Sequence, residues 1–196
     1  MSRGLGDVYK RQVVQGAQSK GTLVNIKHAA FNDQEINRSG VAVFMNEQKA
    51  RELELRNLQQ AFEGNGKPAS FEGDATKDNT YTSGARGVMT SYNWLGTVPV
   101  ISNRDLLTDV LRGEWGFVGT VISDYNGSYG YQLSDAAVRA GNDLMLGYGM
   151  AESNKFEDTG AATLVLAMRK ACKNILYTVG NSGYYVDPTA IVEEEG

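Results

Sequence analysis

The sequence predicts an α/β protein built from parallel β-then-α units. Three observations carry that expectation. Short β-branched apolar runs alternate with longer segments of helical periodicity, the alternation repeats in the same order along the chain, and polar residues gather at the C-terminal ends of the runs.

The first strand is expected at 22–28 (TLVNIKH), followed by a polar loop over 32–40. The stretch 46–62 (NEQKARELELRNLQQAF) places Leu53, Leu55, Leu58, Ala61 and Phe62 at amphipathic-helix spacing, with Asn46 as N-cap. A Gly/Lys/Asp-rich loop covers 64–82, and a second strand is expected at 87–92 (GVMTSY). Helix returns over 103–115, with Leu106, Leu107, Val110 and Leu111 on one face. The third strand is 119–125 (GTVISDY), the next helix 134–140 with Ser134 as a possible cap, and the fourth strand 143–146 (DLML). A last helix over 161–177 aligns Leu164, Met168, Ala171, Cys172, Ile175 and Leu176. Such units make half of an eight-stranded barrel or most of an open doubly wound sheet. Both architectures place their chemistry at the C-terminal strand ends.

Composition narrows the function classes. The chain has 196 residues, 19 basic against 23 acidic side chains and a net charge of −4. Hydrophobic residues make 41% and charged ones 21%, which excludes a generically disordered chain. No apolar run reaches the roughly 18 residues a membrane span needs. There is no Lys/Arg stripe, which argues against nucleic acid as a partner. The single cysteine, Cys172, cannot form an internal disulfide, and the single histidine, His28, leaves no His/Cys cluster for zinc. No metal or cofactor is expected. Residues 1–12 read as a cloning scar or a leader foreign to the rest of the chain, or else as an ordinary frayed terminus; 13–185 form the domain, and 186–196 form an acidic, solvated tail.

The chemistry-bearing candidates sit at the ends of the strands. Asp124 would emerge from a dry core as nucleophile, base or metal ligand, or else as a capping side chain. Lys27 and His28 adjoin on a strand, where neighbours point to opposite faces, so a shared ligand requires the strand to end or bulge there. The other reading of His28 is a satisfied core histidine. Tyr92 can donate to a nearby carboxylate or simply pack, and Met89 reads as core. Asp33, Glu35 and Arg38 crowd the first loop, where Glu35 and Arg38 can pair at i, i+3 on a surface turn. The G-x-G-x-x-A match at 64–69 follows a helix rather than a strand, contains a proline, and carries no nucleotide-binding expectation. Asn37 and Asn126 begin glycosylation triplets, a weak pattern.

Several motifs together resemble glycoside hydrolase family 3, the β-glucosidase and β-xylosidase family. They are IKHAAFNDQEINRSGVAVFMNEQKARELELR, GVMTSYNWLGTVPVISNRDLLTDVLRGEWGFVGTVISDY and AGNDLMLG, in family order and spacing over about Val13 to Tyr185. The resemblance implies the second half of a TIM-like (β/α)8 barrel, strands five to eight. It makes Asp124 the catalytic nucleophile of a retaining, exo-acting β-glucosidase-like enzyme. Lys27 and His28 become the pair that binds sugar hydroxyls in subsite −1, with Tyr92 against the nucleophile and Met89 lining the pocket. Arg38 matches the Arg of the N-x-Q-E-x-x-R loop. Tyr125 stands where many relatives have Trp, and Ala29 where Phe is usual. The absence of a second His after K-H disfavours the β-N-acetylglucosaminidase branch. The expected partners are a β-glucoside or related oligosaccharide and the remainder of a parent enzyme, including a separate domain that supplies the acid/base Glu. The polypeptide alone is expected to have little or no glucosidase activity. The alternatives are a non-catalytic sugar-binding or structural α/β module and, more weakly, a small phosphate-binding domain, for which no Gly-rich strand–loop–helix is present.

Overall fold

The computed structural model describes residues 3–63, 84–125, 131–147 and 155–183. In chain order the elements begin with helix α1 (Arg3–Gln18) and strands β1 (Asn25–Ala29) and β2 (Ala42–Val43). Helices α2 (Glu47–Lys49) and α3 (Arg56–Glu63) follow, joined by a π-helical turn (Ala50–Glu54). Then come β3 (Gly87–Thr90), β4 (Trp94–Leu95), β5 (Val98–Pro99), a π-helix (Asp105–Glu114), β6 (Thr120–Ile122), α4 (Ser134–Ala140) and α5 (Ala162–Gly180).

The frame is the expected one. Strands β1, β3 and β6 pair in parallel in that order, with helices between them in the chain. The fourth expected strand is reduced to a single parallel bridge between Leu144 and Ile122. Its ladder is interrupted because a side chain takes a backbone position. Asp143 Oδ2 accepts the Val121 N–H at 2.7 Å, and Leu146 N–H turns to Ser123 Oγ at 2.9 Å. A second small sheet, β2-β4-β5, was not anticipated. Its strands are two residues each, too short for a period-2 pattern to register.

Burial explains why these segments fold as they do. Val88 and Val121 are fully buried at the centre of β3 and β6, as strands covered by helices require. Leu55, Leu58, Ala61 and Phe62 pack into the same core, while Leu53 faces solvent. The Phe62 ring stacks on Trp115 at 6.4 Å and meets Phe117 edge-on at 5.0 Å. Asn46 caps α2 as expected, accepting the Lys49 N–H at 2.8 Å, and Asn103 Oδ1 accepts from Leu106 N at 3.0 Å. Leu133, not Ser134, occupies the N-cap of α4, and Ser134 is a buried helical residue. Gly141 closes α4 at φ 109, and a Cβ there would meet Thr108 Oγ1 at 2.8 Å. On α5 the buried stripe is Leu164, Ala171 and Thr178, so Cys172 and Leu176, expected on the packed face, lie exposed.

Residues 3–12, expected to be a leader foreign to the fold, form one helix with 13–18. Val14 of this helix is 2% exposed, Lys10 Nζ donates to Asn57 Oδ1 at 3.3 Å, and Gln18 bridges the Gly84 carbonyl and the Arg86 N–H. The tail over 186–196, the loop over 64–82 and the triplet at Asn126 lie outside the described residues. Among the described residues, no helix is long and apolar enough to cross a membrane.

Candidate active site

The site is built where three chain segments leave the parallel sheet. Strand β6 ends at Ile122, and two residues later Asp124 projects its carboxylate while its N–H donates to Thr90 O at 3.1 Å, tying it to the end of β3. The β1–β3 register shifts between Ile26 and Ala29, so the irregularity needed for Lys27 and His28 to serve one region is present. The loop after β1 then returns Arg38 to the same place.

These segments converge on Asp124, whose side chain is 11% exposed. Arg38 Nη1 lies 3.1 Å and His28 Nε2 3.3 Å from Asp124 Oδ2, while the Tyr125 N–H donates to Oδ1 at 2.7 Å. Both carboxylate oxygens are thus oriented by partners that a strand-end Asp in a merely capping role would not need. The Arg38 guanidinium stacks over the Tyr92 ring, 4.6 Å from its centroid. Tyr92 is buried and donates its hydroxyl to the Tyr125 carbonyl at 2.7 Å, so its link to Asp124 runs through Arg38 and the Tyr125 peptide.

The sequence treats Glu35 and Arg38 as a surface pair, and they do pair, Nε to Oε2 at 3.1 Å. Arg38 also reaches inward to Asp124, which i, i+3 spacing alone does not reveal. Lys27 is exposed beside His28, and half-buried Met89 lies opposite Ile122 in the β3–β6 register. Burial pushes the His28 imidazole below its ordinary value; Asp124 opposes this and Lys27 and Arg38 reinforce it.

Two participants were not singled out from the sequence. Asn32 Nδ2 lies 3.3 Å from His28 Nδ1 and donates to Glu35 Oε1 at 3.0 Å. Tyr131 donates to the Tyr92 carbonyl at 2.9 Å and packs against Trp94, the ring centroids 5.0 Å apart. Both are ordinary loop residues by composition. Asn32 opens the N-x-Q-E-x-x-R loop that carries Arg38, and that motif was its signal; Tyr131 offered none.

A parallel α/β sheet with a charge-paired carboxylate at its C-terminal strand ends has the layout in which α/β proteins place their ligand and active sites. The particular family follows from comparison. Residues 77–158 match the glycosyl hydrolase family 3 N-terminal domain, a span that contains Met89, Tyr92, Asp124 and Tyr125. The chain is 31% identical over 189 residues to β-glucosidase B of Emericella nidulans, covering 94% of this chain and 20% of that protein. It is 34% identical over 131 residues to a β-glucosidase of Rhizobium radiobacter, covering 67% and 13% respectively. Among solved structures, the family 3 β-glucosidase of Bifidobacterium adolescentis superposes with a TM-score of 0.69 at 25% identity, covering 93% of this chain and 25% of that one. β-Glucosidase 3B of Thermotoga neapolitana in complex with α-D-glucose superposes at 0.67 and 27% identity, covering 88% and 22%. The chain belongs to glycoside hydrolase family 3, and its parallel units are those of the family's barrel-type N-terminal domain. It spans about 12% to 20% of the length of the curated relatives it matches.

Proposed function

We propose that this chain supplies the nucleophile side of a retaining β-glucosidase site. The observation that carries the reading is the Asp124 carboxylate held at the end of β6 by His28, Arg38 and the Tyr125 N–H. A carboxylate held in one orientation beside hydroxyl-binding groups suits in-line attack on an anomeric carbon. Asp124 forms a bond to that carbon as the glycosidic C–O bond breaks. The leaving oxygen takes a proton from a second carboxyl group, and water later releases the sugar. Retaining enzymes place the two carboxyl groups about 5–5.5 Å apart. The second group comes from a Glu outside these residues, on a separate domain. Lys27 and His28 bind ring hydroxyls, and Tyr92, Met89 and Tyr125 shape the pocket wall around the sugar. Arg38 holds the nucleophile and faces the same sugar.

The substrate class is a β-glucoside or related oligosaccharide, the relatives being named as β-glucosidases and one neighbour being bound to glucose. The test is intact mass after incubation with a 2-deoxy-2-fluoro-glucoside bearing a good leaving group, a substrate that needs a nucleophile but little acid assistance. A one-sugar adduct, mapped to Asp124 and lost in Asp124→Asn, is the expected result. A folded chain that forms no adduct overturns the reading in favour of a non-catalytic sugar-binding or structural module. Turnover of an ordinary glucoside, which demands the acid, is expected to be negligible for the chain by itself.

A further inference from the structure

We propose that Glu35 is a positioning residue which, through Asn32, sets the His28 tautomer that faces the nucleophile. The argument is one of donors and acceptors. A carboxylate only accepts, so the Asn32 side-chain atom 3.0 Å from Glu35 Oε1 must be its NH2 group. Turning the amide over would set its carbonyl oxygen against the Glu35 carboxylate. The same NH2 group has a second hydrogen, and His28 Nδ1 lies 3.3 Å away. That nitrogen must therefore carry a lone pair, which leaves the ring proton on Nε2, and Nε2 is the atom 3.3 Å from Asp124 Oδ2. The amide orientation thus converts the charge of Glu35 into a proton placed toward Asp124.

Glu35 acts on the same oxygen by a second route. Its Oε2 holds Arg38 Nε at 3.1 Å, and Arg38 Nη1 reaches Asp124 Oδ2 at 3.1 Å. One exposed carboxylate therefore orients both groups that contact Asp124 Oδ2. The charged groups that act on His28 are Asp124 beyond β6, Lys27 on β1, and Arg38 and Glu35 in the loop after β1. Glu35 itself touches no reacting atom in this arrangement.

The tautomer can be measured without substrate because the chain has a single histidine. Ring 15N shifts of the full chain at neutral pH are expected to show a pyridine-like Nδ1 and a pyrrole-like Nε2. Glu35→Ala is expected to mix the two tautomers. Glu35→Gln keeps an acceptor for Asn32 and is expected to restore the Nε2–H form. Asn32→Asp presents only acceptors to the ring and is expected to put a proton on Nδ1, as the Nδ1–H tautomer or, with Asp124 still accepting at Nε2, as the doubly protonated ring. Distant amide shifts are expected to stay in place in all three, which separates positioning from loss of fold.

An Nδ1–H signal in the unaltered chain, or a His28 spectrum indifferent to Glu35→Ala, overturns the proposal. Its catalytic consequence rests on the reading of Asp124 as nucleophile. Glu35→Ala is expected to slow trapping by the fluoroglucoside about tenfold, the cost of roughly one positioning hydrogen bond. Failure of the unaltered chain to trap, with the tautomer pattern intact, would sink the glycosidase reading and leave the positioning role standing. Equal trapping rates with and without Glu35 would sink the catalytic consequence.

Discussion

At the residue scale, the behaviour of the site follows from what surrounds Asp124. Arg38→Ala removes a charge-assisted hydrogen bond at 3.1 Å, an interaction of about 1.5–3 kcal/mol, so slower fluoroglucoside trapping by some tenfold or more is expected. His28 carries a pH signature. Its folded-state pKa lies below the unfolded value of about 6.5, so the folded chain binds fewer protons in that range. Its contribution to stability is therefore complete above about pH 6.5 and is lost as pH falls through the lowered folded value. Urea midpoints measured from neutral to mildly acidic pH are expected to fall, with a smaller slope in His28→Asn. An unchanged slope in that variant would assign the effect elsewhere. Asp124, His28 and Arg38 were legible in the sequence because strand-end polar residues and matching motifs mark them. Asn32 opens the same loop motif as Arg38, but no motif says which way its amide faces, and its importance lies there.

The elements show where pattern reading works and where it stops. Helices at 47–63, 105–114 and 162–180 were legible from apolar periodicity, and the three core strands from β-branched runs. The exposed Leu53 and Leu176 show that periodicity marks an apolar stripe without saying how wide a face the neighbours cover. The fourth strand failed to extend for a reason no periodicity encodes. Asp143 joins Arg112 Nη2 at 2.7 Å, Asn174 Nδ2 at 2.8 Å and the Val121 N–H, pinning β6, the π-helix and α5 together. Burial pushes the Asp143 carboxyl up and the Arg112 guanidinium down, and their pairing offsets that cost. Removing one partner leaves a buried charge alone, so Asp143→Ala is expected to destabilise by about 3–5 kcal/mol in urea unfolding. The exposed pair of Arg51 and Glu114 makes two hydrogen bonds, yet Glu114→Gln is expected to cost less than about 1 kcal/mol in the same assay. Phe62→Ala, which empties the contact with Trp115 and Phe117, is expected to cost about 3–5 kcal/mol.

For the whole molecule, the parallel sheet has two free edges among the described residues: the side of β1 away from β3, and the side of Leu144 away from β6. Leu144, Leu146, Leu166 and Leu176 are exposed nearby or on the outer helices. Open edges with exposed apolar side chains favour pairing with other chains, although the exposed Lys27 on β1 works against it. Concentration-dependent self-association is expected for the isolated chain; sedimentation showing a monomer at all concentrations would contradict this. The carboxylate cluster also bears on the order of folding. Arg38 and Asp124 stand 86 positions apart, and they meet only when segments from opposite sides of β3 have docked on it. Closing so long a loop returns no contact energy until the intervening strand is in place, so such contacts belong to the slow end of folding. A chain that traps a fluoroglucoside on Asp124 has therefore already docked both flanking strands on β3, and the covalent bond records that this has happened.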